Sequence, residues 1–288
     1  MPELTPAARK LQQLLDRPGI LIMPGCFDAL SARLIEKAGF ELSFMSGYCV
    51  SAARLGLPDT QLISYAEMVE QGRNICQAVK IPVIGDGDTG YGNALNVKRT
   101  VHGYAQAGFA CVMIEDQVAP KRCGHTRGKA VVERDEASMR IRAAMDAKEE
   151  GAGILIMART DARATHGLEE AIWRAQAFAD LGADILFIEA PTDEDEMRRF
   201  CASVKKPTMA NMIEGGKTPL LPPARLQELG YKIGVYPLTL LNAAIQGMQT
   251  ALKAIKSGET ATNISDFATL CDVVGFNEYY RAEERYSK

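Results

Sequence analysis

The feature that most constrains the fold is a repeated unit in which a helical pattern ends in glycine and a short apolar run follows. Clear examples end at Gly39, Gly108, Gly182 and Gly230. Glycine just beyond a helix accepts the left-handed backbone conformation that ends the helix. The apolar runs do not alternate with polar residues, which is typical of strands buried on both faces of a parallel sheet.

Eight such runs occur, and each is followed by a helical pattern. They cover residues 21–24, 42–45, 82–85, 111–114, 154–158, 185–188, 208–210 and 233–236. This order in a chain of 288 residues predicts an α/β fold, a (β/α)8 TIM barrel, with residues 1–288 as one domain and 241–288 as a C-terminal helical extension. An open doubly wound sheet is the alternative. No G-x-G-x-x-G motif follows the first run, which argues against the dinucleotide-binding form of that fold.

Composition limits the partners that we expect. The formal net charge is −3 and no Lys/Arg block occurs, so nucleic-acid binding has little support, although a locally basic pocket could bind a small anion. The seven cysteines lack paired spacing, which indicates reduced thiols in a cytoplasmic protein. Neither a secretory leader nor an apolar run of about 18 residues is evident, so we expect no membrane association.

Acidic residues stand where three neighbouring strands are predicted to end, which is where barrels of this type carry their chemistry. Asp86 and Asp88 are two residues apart and share a face of an ideal strand, and Glu115 ends the next run. Such carboxylates suit a hard divalent cation, Mg²⁺ or Mn²⁺, held partly through water. Asp-Gly-Asp alone is equally typical of a turn; Glu115 and Arg159 at neighbouring strand ends favour the metal.

Arg159, at the end of the fifth run, is suited to binding a carboxylate, because its planar guanidinium matches that shape. The alternative is an ion pair with Asp86 or Glu189. The other end of the same carboxylate could be bound by a hydroxyl and two amides, those of Ser46, Gly47 and Tyr48.

Cys123 is flanked by Lys121, Arg122 and His125, a setting that favours the thiolate. We expect it to act as a nucleophile or as a general acid/base. Cys123-x-His125 supplies only two ligands, which is too few for a zinc site. The fifth and sixth runs end without a lysine for a Schiff base, which favours metal-stabilised chemistry over an imine.

The segment Lys121-Arg-Cys-Gly-His125 resembles the K-[KR]-C-G-H signature of the isocitrate lyase and phosphoenolpyruvate mutase superfamily. Ser46-Gly47 and residues 86–92, 114–117 and 158–161 match the same family in order, so the resemblance covers roughly residues 20–255. It implies a modified (β/α)8 barrel, a Mg²⁺ ion and a homotetramer with an exchanged C-terminal helix. It also implies cleavage of a 2-hydroxy di- or tricarboxylate to pyruvate or glyoxylate plus a second carboxylate.

The resemblance also implies a role for each matching position. The metal is served by Asp86 and Asp88, with Asp59 and Glu115 in its outer shell. The α-oxo acid is held by Ser46, Gly47, Tyr48 and Arg159. Cys123 protonates the departing aci-carboxylate. The second-carboxylate end is lined by Gly124, His125, Glu189 and Asn211.

Details of the resemblance favour a branch of the family. The thiol of Cys123 argues against the phosphonate-handling mutases. Residues 211–219 resemble the 2,3-dimethylmalate lyase and petal-death-protein branch, whereas the arginine that 2-methylisocitrate lyases carry after the eighth strand is Asn242 here, and none is evident in 272–277. Oxaloacetate hydrolases tend to carry serine at the position of Pro237.

We therefore expect a carbon–carbon lyase that cleaves an alkyl-substituted malate, with Tyr48 or a metal-bound water as the base. Three alternatives stay open from the sequence. They are 2-methylisocitrate cleavage, oxaloacetate hydrolysis to oxalate and acetate, and a silent barrel that only binds a dicarboxylate.

Overall fold

The predicted barrel is confirmed. The structure, a computed structural model, describes residues 3–124 and 128–287. Within them, eight parallel strands close into a barrel in sequence order. The strands are β1 Leu21–Cys26, β2 Ser43–Met45, β3 Val83–Asp86, β4 Cys111–Glu115, β5 Leu155–Thr160, β6 Ile185–Ile188, β7 Thr208–Asn211 and β8 Ile233–Tyr236. Each predicted apolar run overlaps one strand.

Helices connect the strands, as the right-handed crossover of parallel strands requires. Those of the barrel are α1 Pro6–Asp16, α2 Ala29–Lys37, α3 Gly47–Leu55, α4 Tyr65–Ala78, α5 Ala94–Ala107, α6 Arg134–Ala147, α7 Ala162–His166, α8 Leu168–Asp180, α9 Glu194–Ser203 and α10 Pro223–Leu229. A π-helical turn, Lys148–Ala152, continues α6. The chain then forms α11 Thr239–Ser257, α12 Phe267–Val274 and α13 Phe276–Glu283.

The glycines that were predicted to end helices adopt the left-handed conformation. The φ angles of Gly39, Gly108, Gly182 and Gly230 are 87°, 103°, 104° and 102°. At these angles a side chain would strain the backbone, so glycine is the residue that stops each helix and turns the chain into the next strand.

Helix α1 closes one end of the barrel. Its buried face, Ala8, Leu11, Leu14 and Leu15, joins a core cluster with the first residues of several strands, among them Leu21, Leu155, Ile185 and Ile233. Each leucine so buried contributes about 1.5–3 kcal/mol relative to exposure. This end is therefore apolar and filled, and polar groups collect at the opposite end.

The register of the strands sets which polar residues meet there. Glu115 of β4 lies opposite Arg159 of β5, and Asp86 of β3 lies opposite Met113 of β4. Glu115 and Arg159 are thus neighbours at one level of the barrel, although they are 44 positions apart in the chain.

The chain divides into two compact units, Met1–Thr239 and Leu240–Lys288. The second unit contains most of α11, then α12 and α13, which meet at Gly275 with a φ angle of 97°. Among the described residues, no helix is both long and apolar enough to cross a lipid bilayer.

Candidate active site

Four buried carboxylates gather at the carboxyl ends of the strands. Asp86 ends β3 and accepts hydrogen bonds from the amides of Gly47 (3.1 Å) and Asp88 (3.1 Å). Asp88, Asp59 and Glu115 are buried near it. Asp59, Asp86, Asp88 and Glu115 were all predicted from the sequence to serve a metal.

A lysine that the sequence analysis had placed only beside the thiol lies inside this group. Lys121 Nζ is 2.6 Å from Asp59 Oδ1 and 2.9 Å from Asp88 Oδ1, and all three side chains are buried. Burial raises the pKa of Asp88 to about 7 against the opposing effect of Lys121. Burial also raises the pKa of Glu115 well above its usual range, although Arg159 lowers it.

The group has unsatisfied acceptor capacity that suits a cation. Glu115 Oε1 is buried and makes no hydrogen bond to any part of the chain that the structure describes. Within the same residues, no three His, Cys, Asp or Glu side chains converge closely enough to coordinate an ion by themselves. A cation here would therefore keep water ligands, which is the usual arrangement for Mg²⁺.

Arg159 is held by carboxylates on both sides. Its Nε lies 3.2 Å from Glu115 Oε2 and 2.8 Å from Asp161 Oδ2, and its Nη2 lies 3.0 Å from Glu189 Oε2. Burial lowers the pKa of Arg159, but the three carboxylates outweigh that effect and raise it well above its usual range. The ion pair with Glu189 that the sequence suggested is present, and the other carboxylates paired with Arg159 are Glu115 and Asp161 rather than Asp86.

Asp161 is itself fixed from behind. Its backbone amide donates to Asp116 Oδ1 at 2.9 Å, and its carboxylate receives Lys129 Nζ at 2.8 Å. The hydroxyl of Thr160 donates to Asp116 Oδ2 at 2.6 Å, and Arg174 Nη1 reaches the same oxygen at 3.0 Å. Arg159 is thus oriented by a buried network rather than by a single pair.

Cys123 and Gly124 approach this network. Both line one cavity with Asp59, Asp86, Arg159 and Asn211. A Cβ added to Gly124 would lie 2.5 Å from Arg159 Nη2 and 2.6 Å from Glu189 Cγ, so the backbone is in close contact with both side chains. Cys123 therefore lines the same cavity as Asp59 and Asp86. His125, also predicted as a site residue, lies outside the described residues.

The segment after β2 departs in one detail from the expected binding of a substrate carboxylate. Ser46 caps α3 by accepting from the amide of Cys49 at 3.4 Å. The amide of Gly47, expected to bind substrate, donates to Asp86 instead. A Cβ at Gly47 would lie 2.7 Å from Asp86 Oδ2, so glycine permits this approach.

Tyr48 follows at the rim of the cavity and is 37% exposed. Burial, followed by the nearby Cys123, Cys49 and Asp59, raises the pKa of its hydroxyl. The neutral phenol is favoured, which suits a hydrogen-bond donor better than the base expected from the sequence.

The far part of the cavity combines one polar pair with apolar walls. Asn211 Nδ2 donates to both oxygens of Glu189, at 3.3 Å and 3.2 Å. Around them, apolar lining comes from Ile213, Pro237 and Leu238 after β7 and β8 and from Phe44, Met113, Phe187, Met209 and Val235 inside the barrel. Among the described residues that line the cavity, Lys121 and Arg159 are the basic ones.

Sequence reasoning missed two contributors. Lys129 was not singled out, because nothing in the sequence relates it to Asp161, 32 residues away. The apolar lining of Ile213 and Leu238 was also missed; its available signal was that these residues follow β7 and β8 without a charge.

Comparisons with known proteins agree with this geometry. Residues 11–256 match the family model described as phosphoenolpyruvate phosphomutase. The chain is 42% identical to 2,3-dimethylmalate lyase of Eubacterium barkeri, over 97% of this chain and 98% of that one. It is 39% identical to 2-methylisocitrate lyase of Aeropyrum pernix, over 96% and 90% of the two chains.

Solved structures match over nearly the whole chain. A crystal structure of 2,3-dimethylmalate lyase superposes with a TM-score of 0.93 at 34% identity, covering 99% of this chain and 96% of that one. Oxaloacetate acetylhydrolase bound to the inhibitor 3,3-difluorooxalacetate gives 0.92 at 32% identity, with 97% of each chain covered. Phosphonopyruvate hydrolase in complex with oxalate and Mg²⁺ gives 0.87 at 27% identity, with 99% and 100% covered.

Proposed function

We propose a function from one premise: the chain belongs to the phosphoenolpyruvate mutase and isocitrate lyase superfamily. It is a carbon–carbon lyase, and the reaction we propose is cleavage of the C2–C3 bond of an alkyl-substituted malate. The products are pyruvate, or a related α-oxo acid, and a second carboxylate. One observation carries the proposal: a single cavity is lined by Asp86, Arg159, Cys123 and an apolar set that includes Ile213 and Leu238.

Mg²⁺ is the proposed cofactor, with Mn²⁺ as the alternative ion. Asp86 and Asp88 would hold it, with Asp59 and Glu115 reaching it through water. Two observations support this assignment: Glu115 Oε1 makes no hydrogen bond to the described residues, and burial raises the pKa of Asp88 although Lys121 opposes the shift. Both describe buried carboxylates whose charge the neighbouring cations compensate only in part. When bound, the ion supplies electrostatic stabilisation of negative charge on the α-oxo acid fragment.

Arg159 and Ser46 are proposed to bind the carboxylate next to the hydroxyl-bearing carbon, with Gly47 and Tyr48 beside them. Arg159 suits this task because its carboxylate partners fix the plane of its guanidinium before substrate arrives. A donor so preorganised stabilises the developing charge without reorganisation during the reaction.

In the proposed reaction, one group of the site takes a proton from the substrate and another returns a proton to the product. A base takes the hydroxyl proton at C2, the C2–C3 bond breaks, and C2 becomes the carbonyl carbon of the α-oxo acid. The bonding electrons pass to the other fragment, which becomes an aci-carboxylate. Cys123 then donates its proton to the carbon of that fragment. Tyr48 is the candidate base in this chain, although the direction of its pKa shift favours the neutral hydroxyl.

The distal end of the substrate is proposed to lie near Gly124, His125, Glu189 and Asn211, beside the apolar lining. Ile213, Pro237 and Leu238 offer surface for alkyl groups. A third carboxylate placed against them would lose its hydration without a paired cation, which is costly. The lining therefore favours a dicarboxylate over 2-methylisocitrate.

The test is one panel of substrates assayed with Mg²⁺. Purified protein is incubated with 2,3-dimethylmalate, other alkylmalates, 2-methylisocitrate and oxaloacetate, and release of α-oxo acid and of oxalate is followed. We expect the highest kcat/KM for an alkylmalate. Preferential release of oxalate from oxaloacetate would instead assign the hydrolase activity, and preferential cleavage of 2-methylisocitrate would refute the argument from the apolar lining.

The role of Cys123 is tested by Cys123→Ser with a matched thiol as control. Cys201, a half-buried cysteine on α9 that contacts the hydroxyl of Thr208, serves as that control in Cys201→Ser. We expect Cys123→Ser to bind oxalate with Mg²⁺ as the wild type does and to lose most turnover. Near-normal turnover of this variant would remove Cys123 from the mechanism.

A homotetramer in the cytoplasm remains part of the proposal. Apolar residues recur at helical spacing on α11, at Ile245, Met248, Leu252 and Ile255, as a helix that packs on a neighbouring subunit requires. Sedimentation equilibrium would check the assembly, and a monomer at micromolar concentration would contradict it.

A further inference from the structure

The segment that carries Cys123 leaves and rejoins the barrel through an antiparallel base. The amide of Val118 donates to the carbonyl of Ala130 at 2.9 Å, and the amide of Val132 donates to the carbonyl of Asp116 at 2.9 Å. Gln117 and Val131 form a β-bridge between these bonds. The two ends of the segment, residues 116–118 and 130–132, are therefore held side by side where the segment leaves and rejoins the barrel.

The part of the segment that precedes Cys123 is held in place by its own hydrogen bonds and ion pairs. The side chain of Gln117 brackets Arg122: its Nε2 donates to the Arg122 carbonyl at 2.8 Å, and its Oε1 accepts from the Arg122 amide at 3.0 Å. Lys121 is anchored on Asp59 and Asp88. The two residues before Cys123 therefore have little conformational freedom.

The described residues of the segment after the thiol, 128–132, include a buried charge, that of Lys129. Its Nζ lies 2.8 Å from Asp161 Oδ1, and the two side chains are 3% and 0% exposed. Taking two such charges out of water is costly, so a buried pair is weak evidence for stability alone. Asp161 is also the carboxylate that receives Nε and Nη2 of Arg159, at 2.8 Å and 3.1 Å. The pair therefore connects residues 128–132 to the arginine.

We propose that Lys129 is a positioning residue, which acts through Asp161 to hold the segment carrying Cys123 and Gly124 against Arg159. This deepens, and rests on, the function proposed for the same site. Lys129 itself touches no reacting atom. The packing of Gly124 on Arg159 and Glu189 is the contact that the ion pair maintains.

Two consequences separate this role from a merely electrostatic one. Without Lys129, Asp161 still binds Arg159 and is still held by Asp116, so the site should keep its affinity for a carboxylate. The thiol, however, should be released from its place. Turnover and thiol accessibility should therefore change while binding of a small dicarboxylate does not.

The test compares the wild type with Lys129→Met, Lys129→Arg and the control Lys148→Met. Lys148 forms an equally short pair with Asp184, at 2.7 Å, on side chains that are 15% and 16% exposed, and it plays no part in the cavity. Three quantities are measured: oxalate affinity with Mg²⁺ by calorimetry, kcat and KM on the best substrate of the panel, and the alkylation rate of Cys123 by N-ethylmaleimide. Peptide mass spectrometry resolves Cys123 from the other cysteines.

In the presence of Mg²⁺ and oxalate, N-ethylmaleimide should alkylate Cys123 about tenfold faster in Lys129→Met than in the wild type. The kcat of this variant should fall by about tenfold or more. Oxalate affinity should stay within about threefold of the wild type, because Lys129 does not contribute to the binding of the carboxylate. Lys129→Arg should restore both the alkylation rate and kcat, and Lys148→Met should leave them unchanged. If Lys129→Met does not fold, the same measurements are made on Lys129→Gln, which also removes the charge but keeps a polar side chain.

Unchanged alkylation of Cys123 in the neutral variant would overturn the proposal. A loss of oxalate affinity that parallels the loss of kcat would also overturn it, because Lys129 would then act on the charge of Arg159. Alkylation and oxalate binding require no turnover, so a wild type that cleaves nothing in the panel would refute the proposed function and leave the role of Lys129 decided by these two measurements.

Discussion

Gly124 offers the sharpest test of where the thiol lies. The added Cβ of Gly124→Ala would lie 2.5 Å from Arg159 Nη2 and 2.6 and 2.7 Å from Glu189 Cγ and Cδ. Gly124 is not among the glycines with positive φ, so alanine fits its backbone conformation and the effect is one of space. Arg159 and Glu189 cannot easily withdraw, because each is held by buried partners.

The magnitude follows from the overlap. An ordinary contact begins near 3.4 Å, so the 2.5 Å approach requires that the segment retreat by roughly 1 Å. A misplacement of about 1 Å in catalytic geometry costs on the order of 10²-fold in rate. We therefore expect kcat of Gly124→Ala to fall by about 10²-fold. Thermal stability should hardly change, because Gly124 lies outside the helices and strands.

The assay is steady-state cleavage of the best alkylmalate, together with the melting temperature and the alkylation rate of Cys123. Gly247→Ala is the matched control, because a Cβ there meets no other described atom within 4 Å and Gly247 lies inside α11. That variant should gain roughly 0.5–1 kcal/mol of stability from the helix and keep its activity. A Gly124→Ala enzyme within about threefold of wild-type kcat would refute the close approach and, with it, the placement of the thiol.

Three further predictions concern the metal, the apolar lining and the closed end of the barrel. Because burial raises the pKa of Asp88 from 3.8 to about 7, its stability contribution in Mg²⁺-free protein is full below the lower value and is lost as pH rises through the higher one. Mg²⁺ should therefore raise the melting temperature more at about pH 8 than at about pH 5.5, which lie above and below the raised pKa, and an equal rise at the two pH values would contradict the proposed metal site. Ile213→Ala should raise KM for alkylmalates by about 10-fold or more and affect unsubstituted malate less, as compared in parallel kinetics. Leu11→Ala should lose about 2–5 kcal/mol in urea unfolding with kcat unchanged, and a loss under about 1 kcal/mol would show that α1 does not close the core.

The barrel could be predicted because its signals are local. An apolar strand is recognised from its own consecutive residues, and the end of a helix is recognised from a glycine that can adopt a positive φ angle. The predicted runs at β1, β3, β4, β5 and β7 nevertheless stopped one or two residues early. In the last four of these, the actual strands continue through Asp86, Glu115, Thr160 and Asn211. The backbone hydrogen bonds of a parallel sheet are indifferent to the polarity of the side chain, so composition could not mark those ends.

The sequence indicated which polar residues meet where they stand at the ends of neighbouring strands, and it missed contacts between residues far apart in the chain. Glu115 and Arg159 were expected together from the order of the strands, and their register places them side by side. The pair of Lys129 with Asp161 depends on how the segment after β4 returns to the barrel, which no spacing in the sequence encodes. The amide of Gly47 was assigned to substrate, since the sequence could not reveal that Asp86 would occupy it.

The charges of the site explain why its folding and its chemistry are connected. Asp59, Asp86, Asp88, Glu115, Asp161 and Glu189 are buried, and the cations paired with them among the described residues include Lys121, Lys129 and Arg159. Burial raises the pKa values of Asp88 and Glu115 although Lys121 and Arg159 lower them, so desolvation of these two carboxylates outweighs the compensation that the two cations provide. Lys121 and Lys129 both lie on the segment that carries Cys123. Each of these lysines pairs with a buried carboxylate at the carboxyl ends of the strands, so we expect a substitution of either lysine to disturb the position of Cys123.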